Sequence, residues 1–339
     1  MGEDRLAEQF SRISSWFFRH WKRVLVLAWL AYAAITIGSR WRLIQAFALP
    51  DTDDNLRMAQ VRAWMGGQGW FDLVQHRFDP AHGGANIHWS RFVDLPIAGI
   101  ITLMKPLVGG ANAERMAVAL APLLPLLLMM FALALIMKRL VSEKAWPLPI
   151  VGMLMAYSTM GMFAPLRIDH HGWQLALLAL ALAGMADPKR ARGGAVVGFA
   201  TGLSLAIGLE MMIYLALLGG SAVLMWVVDR DQRRRLATYA GSLVASTALG
   251  FLVFASYANR LPVCDALSPV WLSDAAIGGA VMLGLAMLKI DSWKARLATA
   301  VLAGAVVAGF HILMWPNCLQ RLEGVSPEAT RLRPAGGRQ

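Results

Sequence analysis

Residues 95–109 read LPIAGIITLMKPLVG, and whether this apolar run crosses a membrane decides the topology of the whole chain. It is short, because crossing takes roughly 20 apolar residues, with about 17–25 usual. Pro96 stands near its start, and Lys105 and Pro106 near its end. Other apolar runs lie near 24–38, 116–137, 147–163, 173–186, 195–209, 211–228, 236–256, 276–289 and 297–315. Several are equally short, so length alone does not decide. The basic clusters do. With Arg19, Lys22 and Arg23 in the cytoplasm, a crossing 95–109 puts Lys138-Arg139, Lys189-Arg190-Ala191-Arg192 and Arg233-Arg234-Arg235 outside. If 95–109 only dips into the outer leaflet, all of these become cytoplasmic, with Lys289, Lys294 and Arg296. Lys and Arg accumulate in cytoplasmic loops. The expectation is an all-α polytopic membrane bundle of nine spans plus one half-membrane or interfacial helix.

Composition agrees. The 339 residues are 57% hydrophobic and 16% charged, where a soluble domain carries about 25% charged residues. The net charge of +11 does not point to nucleic acid, because the basic residues sit at helix ends, where they set topology and meet anionic headgroups. Ala31-Tyr32-Ala33 resembles a signal-peptidase site, but the charged lead and the apolar run through Ile37 favour an uncleaved anchor. Leu6, Phe10, Ile13 and Phe17 share one helical face and predict an amphipathic helix in the interface. The division expected is a cytoplasmic lead (1–23), a membrane domain (24–315) and a short outer tail (316–339), with no soluble domain.

That parity places loop 39–94, the turn 164–172 and Glu210 on one outer face. The loop holds six Arg and six Asp, with no Lys or Glu. Two acidic motifs stand out: Asp51-Thr52-Asp53-Asp54 and Asp169-His170-His171. Carboxylates with one imidazole suit Mn²⁺ or Mg²⁺ better than a structural zinc. Arg57, Arg62, Arg91 and Arg167 offer forks for phosphate oxygens. The plainer readings are helix capping before Asn55–Met65, which Gly66-Gly67 ends, and a solvated turn at 169–171. Trp41, Trp64, Trp70 and Trp89 argue against a disordered loop; they either stack on sugar faces or anchor at headgroup depth. His76, His82 and His88 fit no compact ligand spacing and read as polar loop residues. Glu210 is either a buried acid of the site or an acid at the interface. Gly194, Gly198 and Gly202 have the small-x-x-x-small spacing of close helix packing. Cys264 and Cys318 share the outer face and can pair there.

The order of elements resembles a family. Asp51–Asp54 is followed by Arg57 and Arg62, then Gly66-Gly67-Gln68-Gly69-Trp70-Phe71-Asp72, Asp79-Pro80, Gly83-Gly84, His88-Trp89 and Asp94-Leu95-Pro96. Leu120-Ala121-Pro122 opens the next span, and Arg167-Ile168-Asp169-His170-His171 closes the one after. This resembles the membrane half of GT-C glycosyltransferases, most closely the catalytic subunit of oligosaccharyltransferases. The resemblance covers roughly residues 20–230 and implies a metal-binding acid at Asp53, with Asp54 as the alternative register. It implies metal ligands at Asp169 and His171, with Asp53, Asp54 and Asp169 as the catalytic acids. Arg57, Arg62, Arg91, Arg167 and Trp89 then face substrate, with Asp51, His170 and Glu210 as further candidates. The implied reaction is inverting transfer from a polyprenyl-phosphate or polyprenyl-diphosphate sugar to an envelope acceptor at the outer face of the inner membrane. No Trp-Trp-Asp motif follows the last span, and loop 257–275 offers only Asp265 and Asp274 for a later acid. The rival classes are a membrane transporter using Asp169 and His171 as a relay, and a truncated, non-catalytic protein of GT-C type. The sequence names no protein partner.

Overall fold

The computed structural model describes residue 12 and residues 14–319. The amphipathic lead expected on Leu6, Phe10 and Ile13 lies largely outside them, as does most of the expected outer tail. Every apolar run named above is helical. In chain order the helices are α1 (Trp21–Ser39), α2 (Trp41–Gln45), α3 (Thr52–Met65), α4 (Asp94–Val108), α5 (Gly110–Leu120), α6 (Leu123–Leu140) and α7 (Pro147–Met155). They continue with α8 (Tyr157–Gly161), α9 (His171–Met185), α10 (Arg190–Ile207), α11 (Met212–Val228), α12 (Arg233–Phe254), α13 (Pro269–Met287) and α14 (Trp293–Met314). A two-residue ribbon, β1 (Val74–Gln75) with β2 (Ala85–Asn86), sits in the loop before α4. Among the described residues five segments are long and apolar enough to cross a membrane: α1, α5 with α6, residues 230–254, α13 and α14. Helices α9 and α11 are apolar but shorter. The chain is a multi-pass helical membrane protein.

The elements collect charge at two opposite ends. At the basic end Asp187, between α9 and α10, is 2% exposed and accepts from Arg139 at 2.9 Å and from both sides of the Arg192 fork at 2.8 and 2.9 Å. Arg235 donates to the Gly184 and Asp187 carbonyls at 2.7 and 2.6 Å. At the acid end the long loop folds onto the helix tips. Trp70 Nε1 donates to the Val253 carbonyl at 2.5 Å, and Tyr257 N to Phe71 O at 2.9 Å.

Residues 94–120 form a helical hairpin. Asp94, at the start of α4, is tied to Arg57 of α3, and the chain turns at Gly109 (φ 79°). Helix α5 then returns, and Val118 O accepts from Leu166 N at the acid end. Both feet of the α4–α5 hairpin therefore rest at the acid end. A 15-residue helix spans only about 22 Å, short of the roughly 30 Å hydrocarbon core.

Two close approaches fix the frame. Helices α10 and α12 touch along the glycine stripe: a Cβ at Gly194, Gly198 or Gly202 would collide with Arg235 O, Ser242 Oγ or Ser246 Oγ. Thr238 and Ser246 donate back to α10 carbonyls at 2.8 and 3.1 Å. Cys264, in the loop before α13, is disulfide-bonded to Cys318 after α14.

Candidate functional site

Asp51 starts α3 as its N-cap, its Oδ1 accepting from the amides of Asp53 and Asp54 at 3.0 and 3.1 Å. Capping orients the two following acids differently. Asp54 is fully buried; its Oδ1 accepts from Asp169 N at 3.0 Å and its Oδ2 from Arg167 at 3.0 Å. Asp53 is half-buried, and among the described residues its carboxylate meets only the Thr52 hydroxyl, at 3.5 Å. Asp53 thus keeps lone pairs available that Asp54 has used.

Residues 166–170 form the facing half. Leu166 adopts a left-handed φ of 80°, rare for a bulky side chain, and is held there by its bond to Val118. The strained turn aims Arg167 at Asp51, at Asp54 and at Asp169 (3.5 Å). One guanidinium therefore knits two acidic motifs more than a hundred residues apart.

His170 is 1% exposed and clamped between carboxylates. Its Nε2 lies 2.8 Å from Glu210 Oε1, and its Nδ1 lies 2.5 Å from Asp169 Oδ1 without hydrogen-bond alignment. Gln174 Nε2 donates to the other Glu210 oxygen at 2.5 Å. Trp89 packs 4.9 Å from the His170 ring. His171 stands more open, with Nε2 3.4 Å from Asp169 Oδ2 and Nδ1 3.4 Å from Gln174 Oε1.

Electrostatics separate these groups. Burial, reinforced by the Asp169 charge, pushes the Asp54 carboxyl up to about 7. Burial also works against the Asp169 carboxylate, but the nearby His170 and His171 rings and the His170 backbone amide hold it below the usual carboxylate range. The same balance brings Glu210 down to about 2, since its His170 and Gln174 partners outweigh burial. His170 loses by burial and gains more from its two carboxylates, so its pKa is raised.

The other arginines lie in different surroundings. Arg57 is buried under Trp89 (5.1 Å to the ring centre) and paired with Asp94 at 3.0 Å. Arg91 is buried too, donating to Trp70 O, Gly69 O and Asp72 O. Trp89, above Arg57, is 7% exposed. Arg62 is exposed but bidentate to Glu114 at 2.9 and 2.6 Å. His76 and His82 bond within their own loop, to Gly83 O and Asp79. Gln174 escaped the sequence reading; its signal was an amide on an apolar helix one turn beyond His170.

Asp169, His170 and His171 offer ligand atoms all within 4.8 Å of one another, a geometry able to hold a metal ion. Both His170 nitrogens already face carboxylates, which leaves Asp169 and His171 as the open pair. The donor set is oxygen with one imidazole, suited to a hard or borderline divalent cation.

Comparison with solved structures decides the fold. The oligosaccharyltransferase AglB of Archaeoglobus fulgidus, in complex with an inhibitory peptide and a dolichol-phosphate, superposes with a TM-score of 0.63 at 16% identity. The match covers 94% of this chain and 41% of that one. The apo form of the A. fulgidus enzyme gives 0.63 at 17% identity, covering 96% and 40%. The chain has the fold of an oligosaccharyltransferase membrane half. It spans about two-fifths of the length of these GT-C enzymes. No described protein family and no curated protein matches it.

Proposed function

We propose that the protein transfers a sugar from a polyprenyl-phosphate or polyprenyl-diphosphate donor to an envelope acceptor, as an integral inner-membrane glycosyltransferase of GT-C type. The observation that carries this reading is the Asp54–Arg167–Asp169 junction. It converts two separate motifs into one acidic centre beside the open His171. By the positive-inside rule the basic end is cytoplasmic and the acid end faces the periplasm, with nine crossings.

Asp169 and His171, with the half-buried Asp53, are the residues that would hold Mn²⁺ or Mg²⁺. Bound there, the ion would offset charge on the donor phosphate. The protein's own contribution is positioning. Asp51 and Asp54 fix the first turn of α3, which carries Asp53 next to Asp54. Arg167 neutralises the crowded acids. Glu210 and Gln174 hold His170, and through it the Asp169 carboxylate. The donor chain has a place as well. A cavity of about 810 Å³ lies among α11, α12, α13 and α14, lined chiefly by apolar side chains. Leu205 and Met212, which flank the Glu210 turn in sequence, line its wall.

The test is sugar transfer in reconstituted membranes, with radiolabelled polyprenyl-linked sugars and envelope extract, with Mn²⁺ or with EDTA. Metal-dependent transfer by wild type that Asp169→Ala loses is the expected result. Transfer that survives both EDTA and the substitution would sink the metal-assisted mechanism.

A further inference from the structure

Helix α14 is fastened at its two ends and loose between them. At the basic end Arg296 is 5% exposed, and it is the only buried residue of the helix. Its guanidinium donates to the carbonyls of Val227 (2.9 Å), Ile290 (3.0 Å), Asp291 (2.9 Å) and Val228 (3.4 Å). At the acid end three ties converge. His311 Nδ1 lies 2.7 Å from Asp274 Oδ2, Trp315 Nε1 donates to Ser273 Oγ at 3.0 Å, and the Cys264–Cys318 disulfide closes the set. Trp271 stacks on His311 and donates to Cys264 O at 3.0 Å, joining the ties into one cluster.

Between the fastenings the helix meets the core through the small side chains of Ala300 and Ala303. Ala300, Ala303, Gly304 and Ala308 face the 810 Å³ cavity, and a Cβ on Gly304 would meet nothing within 4 Å. The opposite face is apolar and open: Leu302 is 66% and Leu313 81% exposed. Side chains this small give little dispersion energy, so the ends carry most of the attachment.

We propose that α14 is a hinged side wall of the cavity, pivoting at Arg296 and latched at the acid end by the disulfide and the Asp274–His311 pair. The passenger assigned to the cavity, the donor's hydrocarbon chain, rests on the function proposed above; the hinge does not. Swinging the acid end outward opens the cavity sideways to the bilayer, a path that a lipid chain can follow without meeting water. The latch is redox-sensitive. A dithiol opens the Cys264–Cys318 bond by exchange, leaving two thiols on the protein and becoming a disulfide itself.

The test is a pair of spin-label distances in proteoliposomes. One pair, Leu252→Cys with Leu313→Cys, spans α12 to α14 at the acid end; the other, Arg234→Cys with Lys294→Cys, does so at the basic end. Each is measured with the disulfide intact and in a Cys264→Ser/Cys318→Ser background. His311→Asn, which keeps the disulfide, serves as a second unlatching variant should the first fail to fold. Unlatching lengthens and broadens the acid-end distance and leaves the basic-end distance unchanged. It also speeds maleimide labelling of Ala303→Cys about tenfold, which corresponds to a latch worth ~1.4 kcal/mol. No change at the acid end, or equal broadening at both ends, overturns the hinge. Gly304→Leu, which fills the cavity, tests the passenger separately. Unimpaired transfer in that variant would remove the donor chain from the cavity while the distances still judge the hinge.

Discussion

Asp169 and Asp187 flank the same helix, α9, and the protein treats these two buried aspartates in opposite ways. Asp187 is saturated: Arg192 grips both oxygens, Arg139 adds a third bond and the Lys189 amide a fourth. Asp169 is crowded but not saturated by cations. Its neighbours include another acid, a histidine already shared with Glu210, and the half-open His171. Saturation makes a knot; incomplete saturation leaves ligand atoms open. Burial alone does not tell the two apart, and the inventory of partners does.

Substitution at the two positions gives the sharpest contrast. Asp169→Ala lowers transfer by about 10³-fold or more, the scale of losing a group that organises charge in a reaction centre, with little change in thermal unfolding. Asp187→Ala does the reverse, lowering the unfolding temperature because the Arg139 and Arg192 guanidiniums lose their shared counter-charge. Abolished Mn²⁺ binding in a folded Asp187→Ala protein would break the comparison. Within the acid end, Asp53→Asn weakens Mn²⁺ binding with the fold intact, whereas Asp54→Asn chiefly lowers the unfolding temperature. Titration of Mn²⁺ by electron paramagnetic resonance beside calorimetry separates them, and equal loss of binding in both variants would erase the division of labour. Glu210→Gln loosens metal affinity by about 10–100-fold, as changes behind a metal ligand do. The smallest effect is in pH. Asp54 and His170 both bind a proton more tightly folded than unfolded, so their contributions are present at low pH and fade as pH rises through the folded values. The metal-free protein then unfolds at a higher temperature at pH 6 than at pH 8, while Mn²⁺ affinity moves the other way. A flat profile would remove the acid end's distinction.

Much of this was legible in the chain. The apolar runs marked the helices, because a run of side chains that cannot meet water needs a backbone bonded within itself. The glycine stripe at 194, 198 and 202 showed a close helix contact, and Gly66-Gly67 the end of α3. The fates of the arginines were not legible. Arg57, Arg91 and Arg167 look alike in sequence, and only their tertiary neighbours, Asp94 or the acid pair, tell them apart. The split between Asp53 and Asp54 depends on the phase of one helical turn, set by the Asp51 cap. Glu210 gained its meaning from a histidine 40 residues earlier in the chain.

The glycine contact between α10 and α12 has a mechanical consequence. Two helices locked backbone to backbone behave as a rod of fixed length, with the arginine knot at one end and the Glu210 turn beside the other. A thinner or thicker bilayer is then accommodated by tilting that rod as a body rather than by sliding one helix along its neighbour. The depth of the acidic centre relative to the lipid headgroups is set by the membrane, and its internal dimensions by the protein.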